Sequence, residues 1–290
     1  MLIHVTGALG LLGEQVTKTL ASLGDVHGTD VGDMDITSYS SVMATFEARK
    51  PDVVVHLAAL KGNAPSRERP RDFFDVNTTG TVNLLEACRQ LEIRRFMFLS
   101  SLTVHGTSAR AVDETQDNAP IHPYGGSKAA AEAMVKAFAN AYDMEAAIFR
   151  PNFIVGPIPQ PRPYVDNIIY DFIMDIDKTG AVELAGDGHY EREWLHPKDV
   201  ASAIELAISR PVSGCEVYIL SGNRVSMRDL AETVIRHVGR GTVKLNLERD
   251  GFSLISSSTK VRERLGWQPA IDLDALVAEI WDEYRARNAS

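Results

Sequence analysis

The sequence predicts an α/β fold, a doubly wound parallel sheet followed by a smaller C-terminal lobe, and three observations carry that expectation. Short β-branched runs alternate with longer helical patterns through the first half of the chain. The inner runs, such as Val53-Val54-Val55, are apolar without alternation, as strands buried on both faces must be. After Arg150 the texture changes, with Pro151, Pro157, Pro159, Pro161 and Pro163 crowded into a short passage that leads into the smaller lobe.

Taken in order, strands are expected over residues 2–6, 25–30, 52–58, 96–100 and 146–150. Helical spacing fills residues 11–23, 35–49, 78–91 and 127–142 between them. Beyond the prolines come a helix over 199–208, a strand over 216–220 and a helix over 227–238. The tail is helical over 259–266 and 273–287, broken by Trp267-Gln268-Pro269. No internal repeat is present.

Composition narrows the class. At 290 residues, 44% apolar and 24% charged, the chain is ordinary globular material. Its apolar runs are strand-length, far short of the ~20 residues a bilayer helix needs. A strand begins at Leu2, which leaves no room for a signal peptide, so a cytoplasmic location is expected. Cys88 and Cys215 form neither a disulfide framework nor a metal-ligand spacing, so no metal is expected, and Cys88 reads as core filling in a helical pattern. The net charge of −9 argues against nucleic acid or an anionic membrane as the main partner.

The segment Thr6-Gly7-Ala8-Leu9-Gly10-Leu11-Leu12-Gly13 spaces its glycines Gly-x-x-Gly-x-x-Gly between a strand and a helix. A pyrophosphate needs backbone N–H groups at close range and a helix N-terminus aimed at it. Gly7 allows the turn, Gly10 the approach of backbone to phosphate, and Gly13 the close packing of helix on strand. Asp30 ends the second strand, where a carboxylate accepts hydrogen bonds from ribose hydroxyls and repels a 2′-phosphate. No Arg or Lys lies between Val26 and Thr45. The loop therefore reads as a Rossmann dinucleotide site with NAD as the cofactor.

Tyr124-Gly125-Gly126-Ser127-Lys128 is the second signal, since residues four apart at a helix start project from one face. A tyrosine hydroxyl is a poor base near neutrality, but a neighbouring ammonium favours the phenolate. Tyr124 is thus the candidate proton carrier, and Lys128 its electrostatic support and a holder of the cofactor ribose. Ser100 and Ser101 close the fourth strand, at the sheet end where ligands of open α/β folds bind.

With these residues in place, the chain resembles the extended short-chain dehydrogenase/reductases, in the NAD-dependent epimerase/dehydratase family that acts on nucleotide sugars. The likeness runs nearly end to end, through Thr6–Gly13, Asp30, Asp35-Ile36, His56-Leu57-Ala58-Ala59, Asn77 and Ser100–Gly106. It continues through Tyr124–Lys128, Arg150-Pro151, Gly156-Pro157, Arg192–His196 and Leu265–Pro269. The resemblance implies Ser101, Tyr124 and Lys128 as the catalytic set. It implies cofactor contacts from Gly7, Leu9, Gly10, Leu11, Leu12 and Gly13, and from Asp30, Asp35 and Ile36. Leu57, Ala58, Ala59, Lys61 and Asn77 join them, with Ser100, Tyr124, Lys128 and Arg150. The substrate set is Ser101, Thr103, Tyr124, Asn152, Phe153 and Arg192, the last placed to hold a diphosphate. On this basis residues 1–156 with 190–222 form the dinucleotide-binding domain, and 157–189 with 223–290 the substrate lobe. Family members commonly pair through two helices, here 78–91 and 127–142, so a homodimer is expected.

Departures from the family pattern bear on the reaction. Family 4,6-dehydratases carry an Asp-Glu pair directly after the catalytic Ser/Thr, whereas here Leu102-Thr103 follows Ser101. The run Ser101–Val104 is instead similar to the Ser-Ala-Thr-Val of UDP-galactose 4-epimerases, and Lys61 matches a cofactor-contacting lysine in them. Epimerisation of a nucleotide sugar at C4 is therefore the expected reaction. A one-way 4-ketoreductase or sugar dehydrogenase is the enzymatic alternative, and a non-catalytic dinucleotide sensor the other. Phe153 stands where the family usually has Asn, with Asn152 one step early. His105 replaces a common Tyr and is expected to fill its place.

Overall fold

The computed structural model describes residues 1–108, 110–157, 167–210 and 214–288; Pro159, Pro161 and Pro163 lie outside these. The first half runs β1 (Leu2–Thr6), α1 (Leu11–Leu20), β2 (Asp25–Thr29), α2 (Tyr39–Arg49), β3 (Val53–His56), α3 (Asn63–Glu68) and α4 (Pro70–Phe74). A π-helical turn at Asp75–Thr79 leads into α5 (Gly80–Gln90) and β4 (Arg95–Leu99). A 3₁₀ turn at Leu102–His105 precedes α6 (Pro123–Tyr142) and β5 (Glu145–Pro151). The second half comprises β6 (Phe153–Ile154), α7 (Ile168–Thr179), β7 (Ala181–Ala185), β8 (Glu191–Leu195), α8 (Pro197–Ser209) and β9 (Cys215–Leu220). It ends with β10 (Asn223–Ser226), α9 (Met227–Val238), β11 (Thr242–Asn246), α10 (Thr259–Leu265) and α11 (Leu273–Asn288).

Among the described residues the main sheet has the order β2-β1-β3-β4-β5-β9, with every neighbouring pair parallel. Winding reverses between β1 and β3, which opens a crevice beyond their carboxyl ends. In the common doubly wound order a further strand lies outside the second; here β2 is the margin, and the chain turns from Asp30 directly into α2.

The period of two in the strands divides the core. Val53 and Val55 of β3 pack on one face with Met97, Ala147 and Phe149, where α1 and α8 cover them. Val54 packs on the other face with Phe96, Phe98, Ala146 and Ile148, under α2, α5 and α6. All three valines have no exposed surface. Val261, Leu265 and Trp267 also pack on the α1/α8 side, although they lie in the stretch grouped with the smaller lobe from sequence. Trp267 Nε1 donates to Asp199 O at 2.9 Å, and the Asp199 carboxylate accepts from Ala270 N at 2.8 Å, which ties the tail to α8.

Four helix starts differ from the expected ones, each for a local reason; α8 begins at Pro197 rather than 199, with proline in its first turn and the His196 side chain capping Lys198 N. α2 begins at Tyr39 because the Asp35 carboxylate takes the Thr37 N–H and hydroxyl in a turn, and Ser38 then caps Ser41 N. α6 begins at Pro123, since proline at the first helical position loses no hydrogen bond, and this puts Tyr124 in the first turn. The helix expected from Thr78 is preceded by α3, α4 and the π turn, where Gly80 N–H reaches back to Asp75 O.

A second core holds α7, α9 and α11 around β7 and β8, with Ile169, Phe172, Ile173, Leu230, Val234 and Val277 buried in it. Here β10, β8 and β6 form one small sheet and β11 with β7 another. Among the described residues no helix is long and apolar enough to cross a membrane.

Candidate active site

A cavity of about 900 Å³ lies over the carboxyl ends of the sheet, lined by the glycine loop, β2's end, the turn after β3, Ser101, the start of α6 and parts of β6 and β8. Its first wall is the phosphate loop. Gly7 has φ +71°, and a Cβ there would stand 2.8 Å from Ala58 N, so glycine is what lets β1 and β3 close on the crevice. A Cβ on Gly13 would meet Gly7 O at 2.1 Å. Gly10 caps α1 without a side chain, leaving the helix N-terminus open to the cavity.

Asp30 lines the same cavity, its carboxylate held by Leu9 N at 3.1 Å and Val31 N at 2.9 Å. No lining residue in the 29–37 stretch is basic, which suits a free ribose and not a 2′-phosphate. Asp35 and Ile36 line this end too. Asn83 Nδ2 donates to Ile36 O at 2.9 Å, and Ile36 packs on Gly80, where a Cβ would come within 2.8 Å. A cradle of this shape, with bare backbone at a helix N-terminus and a carboxylate at the strand end, fits a dinucleotide.

The crevice edges are fixed by a buried histidine. Thr6 Oγ1 accepts from Leu57 N and Ala58 N, so its own proton goes to His56 Nδ1 at 2.8 Å. Thr81 Oγ1 donates to Asn77 O and therefore accepts from His56 Nε2 at 3.0 Å. The ring is thus neutral, and burial with the charge of Lys128 holds it well below the ordinary histidine range. Leu57, Ala58, Ala59 and Lys61 line the cavity; Asn77 does not. Asn77 instead lies behind the wall, where Oδ1 accepts from Leu60 N at 2.8 Å and Nδ2 donates to Leu60 O and Ser127 Oγ. Its amide groups are consumed in holding the loop to α6.

Tyr124 and Lys128 line one cavity, as residues four apart at a helix start can, and Ser101, which the resemblance implies as their companion, lines it too. Ser101 Oγ accepts from Thr103 N at 3.2 Å and Thr103 Oγ1 at 2.9 Å, which leaves its own proton to donate. Gly125 allows the fit of α6 against this turn, since a Cβ there would stand 2.6 Å from Thr103 O. Lys128 Nζ donates to Leu99 O at 2.7 Å and lies 4.8 Å from the Phe98 ring centre. Burial pushes its ammonium down to about 7, against the pull of Glu132.

Arg150, assigned from sequence to the cofactor wall, does not line the cavity. Its guanidinium turns to Glu132, with Nε to Oε1 at 2.9 Å and Nη2 to Oε2 at 2.5 Å. Nη1 donates to His105 Nε2 at 2.9 Å, so His105 is neutral and fills a place behind the wall. Burial and the Arg150 charge lower its basicity further. Burial opposes ionisation of Glu132, but the Arg150 hydrogen bonds and charge outweigh it and keep the carboxyl below its ordinary value. Glu132 went unnoticed in the sequence, although it continues the face of Tyr124 and Lys128 at the next helical turn.

At the other end, Asn152, Phe153 and Arg192 line the cavity with Asp171 and Trp194, the last two unforeseen. Asn152 Nδ2 donates to Glu193 Oε2 at 2.9 Å and Leu254 O at 3.2 Å, so only its carbonyl oxygen is left for a ligand. The Arg192 guanidinium is sheathed by aromatic rings, 4.6 Å from Phe252, 5.3 Å from Phe153 and 5.5 Å from Tyr190.

Comparison with known proteins agrees with this geometry. A putative UDP-glucose 4-epimerase of Methanocaldococcus jannaschii is 30% identical over 94% of each chain. A dTDP-glucose 4,6-dehydratase of Streptomyces niveus is 27% identical over 100% of this chain and 94% of its own. The solved UDP-glucose 4-epimerase of Stenotrophomonas maltophila, with bound NAD and formylated UDP-arabinopyranose, superposes with a TM-score of 0.90 at 25% identity, covering 100% of this chain and 99% of that one. Residues 3–220 match the model of the NAD dependent epimerase/dehydratase family. The chain is an enzyme with NAD as its cofactor, and it belongs to the NAD-dependent epimerase/dehydratase family.

Proposed function

We propose that the chain interconverts a nucleotide sugar and its C4 epimer. The observation that supports this most is the pairing of Ser101, Tyr124 and Lys128 on one cavity with a Ser101–His105 turn that carries no carboxylate. Among the described residues the carboxylates lining the cavity are Asp30, Asp35 and Asp171, none of them on that turn. Elimination of water needs an acid and a base beside the departing group. Moving one proton at a hydroxyl does not need them.

Bound NAD supplies the acceptor and donor of the sugar C4 hydride. Tyr124, as phenolate, takes the proton of the 4-hydroxyl while Ser101 donates a hydrogen bond to the same oxygen. Lys128 favours the phenolate by its charge. The 4-keto sugar then turns in the cavity and Tyr124 returns the proton. Arg192 and the Asn152 carbonyl hold the nucleotide and sugar during that turn, and Lys61 stands with the cofactor. We also place two copies of the chain face to face across α5 and α6, whose outward side carries Ala129, Ala130 and Ala133 and allows close approach.

Purified protein given UDP-glucose is expected to yield UDP-galactose with no added NADH. Stoichiometric production or consumption of NADH would instead assign a one-way dehydrogenase or reductase. Tyr124→Phe should lower kcat by about 10²- to 10⁴-fold with NAD retained, and full turnover by this variant would remove Tyr124 from its role.

A further inference from the structure

Behind the cavity wall lies a cluster of charges that the proton and hydride steps do not use. Glu132 is fully buried, and Ser100, His105 and Arg150 around it are each no more than 5% exposed. Its Oε1 accepts from Ser100 Oγ at 2.5 Å and Arg150 Nε at 2.9 Å; its Oε2 accepts from Arg150 Nη2 at 2.5 Å and Asn118 Nδ2 at 3.3 Å. Arg150 then spans to Asn118 Oδ1 at 2.9 Å and His105 Nε2 at 2.9 Å. Five segments meet here: α6, the end of β4, β5, the turn that follows Ser101, and the loop before α6 that carries Asn118.

A buried ion pair is weak evidence of stability, because removing two charges from water costs about as much as their attraction returns. What this one does is geometric. Glu132 is four residues beyond Lys128 and eight beyond Tyr124 on one helix face, and it grips Ser100, the neighbour of Ser101. Arg150 grips His105, which ends the turn that Ser101 begins.

We propose that Glu132 and Arg150 are a positioning pair, which locks the helix carrying Tyr124 and Lys128 to the turn carrying Ser101 so that all three meet the substrate oxygen at fixed spacing. Neither residue of the pair lines the cavity. A displacement of ~1 Å between such groups costs on the order of 10²-fold in rate. The charges facing Lys128 give a second signature. Among the described residues the one carboxylate acting on it is Glu132, on the same face of α6 as Tyr124 and itself bonded to Arg150 of β5; the other groups around it are neutral His56 on β3 and the Phe98 ring and Leu99 O on β4. Loss of the Glu132 charge alone leaves Arg150 unbalanced and makes Lys128 easier to discharge.

This inference rests on the catalytic reading of Tyr124, Lys128 and Ser101, and the test separates the two. The double variant Glu132→Leu/Arg150→Met exchanges the pair for apolar side chains, a replacement that buried ion pairs commonly tolerate in folding. With NAD bound, it is expected to lose about 10²-fold in kcat while KM stays within roughly threefold and the pH profile keeps its limbs. Glu132→Gln should show a similar loss, with the alkaline limb of kcat about one pH unit lower. A folded, NAD-loaded double variant with kcat near wild type overturns the proposal. Should the double variant fail to fold, wild-type kcat in the folded fraction of Glu132→Gln overturns it equally. Tyr124→Phe is run alongside: if it turns over, the catalytic reading fails; if it is inert while the double variant is fast, only the positioning pair fails.

Discussion

Lys128 holds a charge that its surroundings oppose. Buried and near 7 in the folded chain, against an ordinary value of about 10.5, it binds fewer protons folded than unfolded between those two pH values. Stability from this group therefore rises with pH through that window and is at its lowest below it. In ligand-free protein, Lys128→Met should raise the melting temperature more at about pH 6 than at about pH 10. An equal change at both would show that Lys128 does not titrate across that range. The residues most legible in the sequence were those whose chemistry fixes their spacing, namely the three glycines, Asp30 and the Tyr124/Lys128 pair. Arg150 was legible as part of a motif, but not the direction of its guanidinium, which depends on a Glu132 carried by a different segment.

Among the elements, the β1–α1 turn carries the strictest demand. Gly7→Ala adds a Cβ at φ +71°, costing about 1–2 kcal/mol in backbone strain, and pushes it to within 2.8 Å of Ala58 N. The variant is expected to fold with a lowered melting temperature and to lose retained NAD, as read by absorbance of the purified protein. Undiminished NAD content would show that the crevice does not need its closed width. The inner strands β3 and β4 were readable because burial on both faces leaves a continuous apolar run. The smaller sheets were not: β8 reads Glu191-Arg192-Glu193-Trp194-Leu195, and Glu193 is inside only because Asn152 and Ser256 satisfy it. α7 did carry a signal, with Ile169, Phe172, Ile173 and Ile176 on one face, obscured by the prolines before it.

For the molecule as a whole, pairing across α5 and α6 predicts a particle of twice the 31.8 kDa chain mass. Sedimentation at micromolar concentration checks this, and a monomer mass would refute it. The doubly wound order was foreseeable from alternating patterns, and no strand was expected between residues 30 and 52; that β2 would then stand at the edge of the main sheet, among the described residues, is set by pairing that the pattern of one segment does not carry. That narrow margin gives the cavity two ends of different stiffness. Asp30 hangs from a five-residue strand bonded on one side, while Ser101 follows β4, flanked by β3 and β5 in the sheet interior. Local opening begins where backbone bonds are fewest. A molecule seated across the cavity would thus come loose from the Asp30 end first, pivoting on the Ser101 end, so the order of release is written into the edge of the sheet.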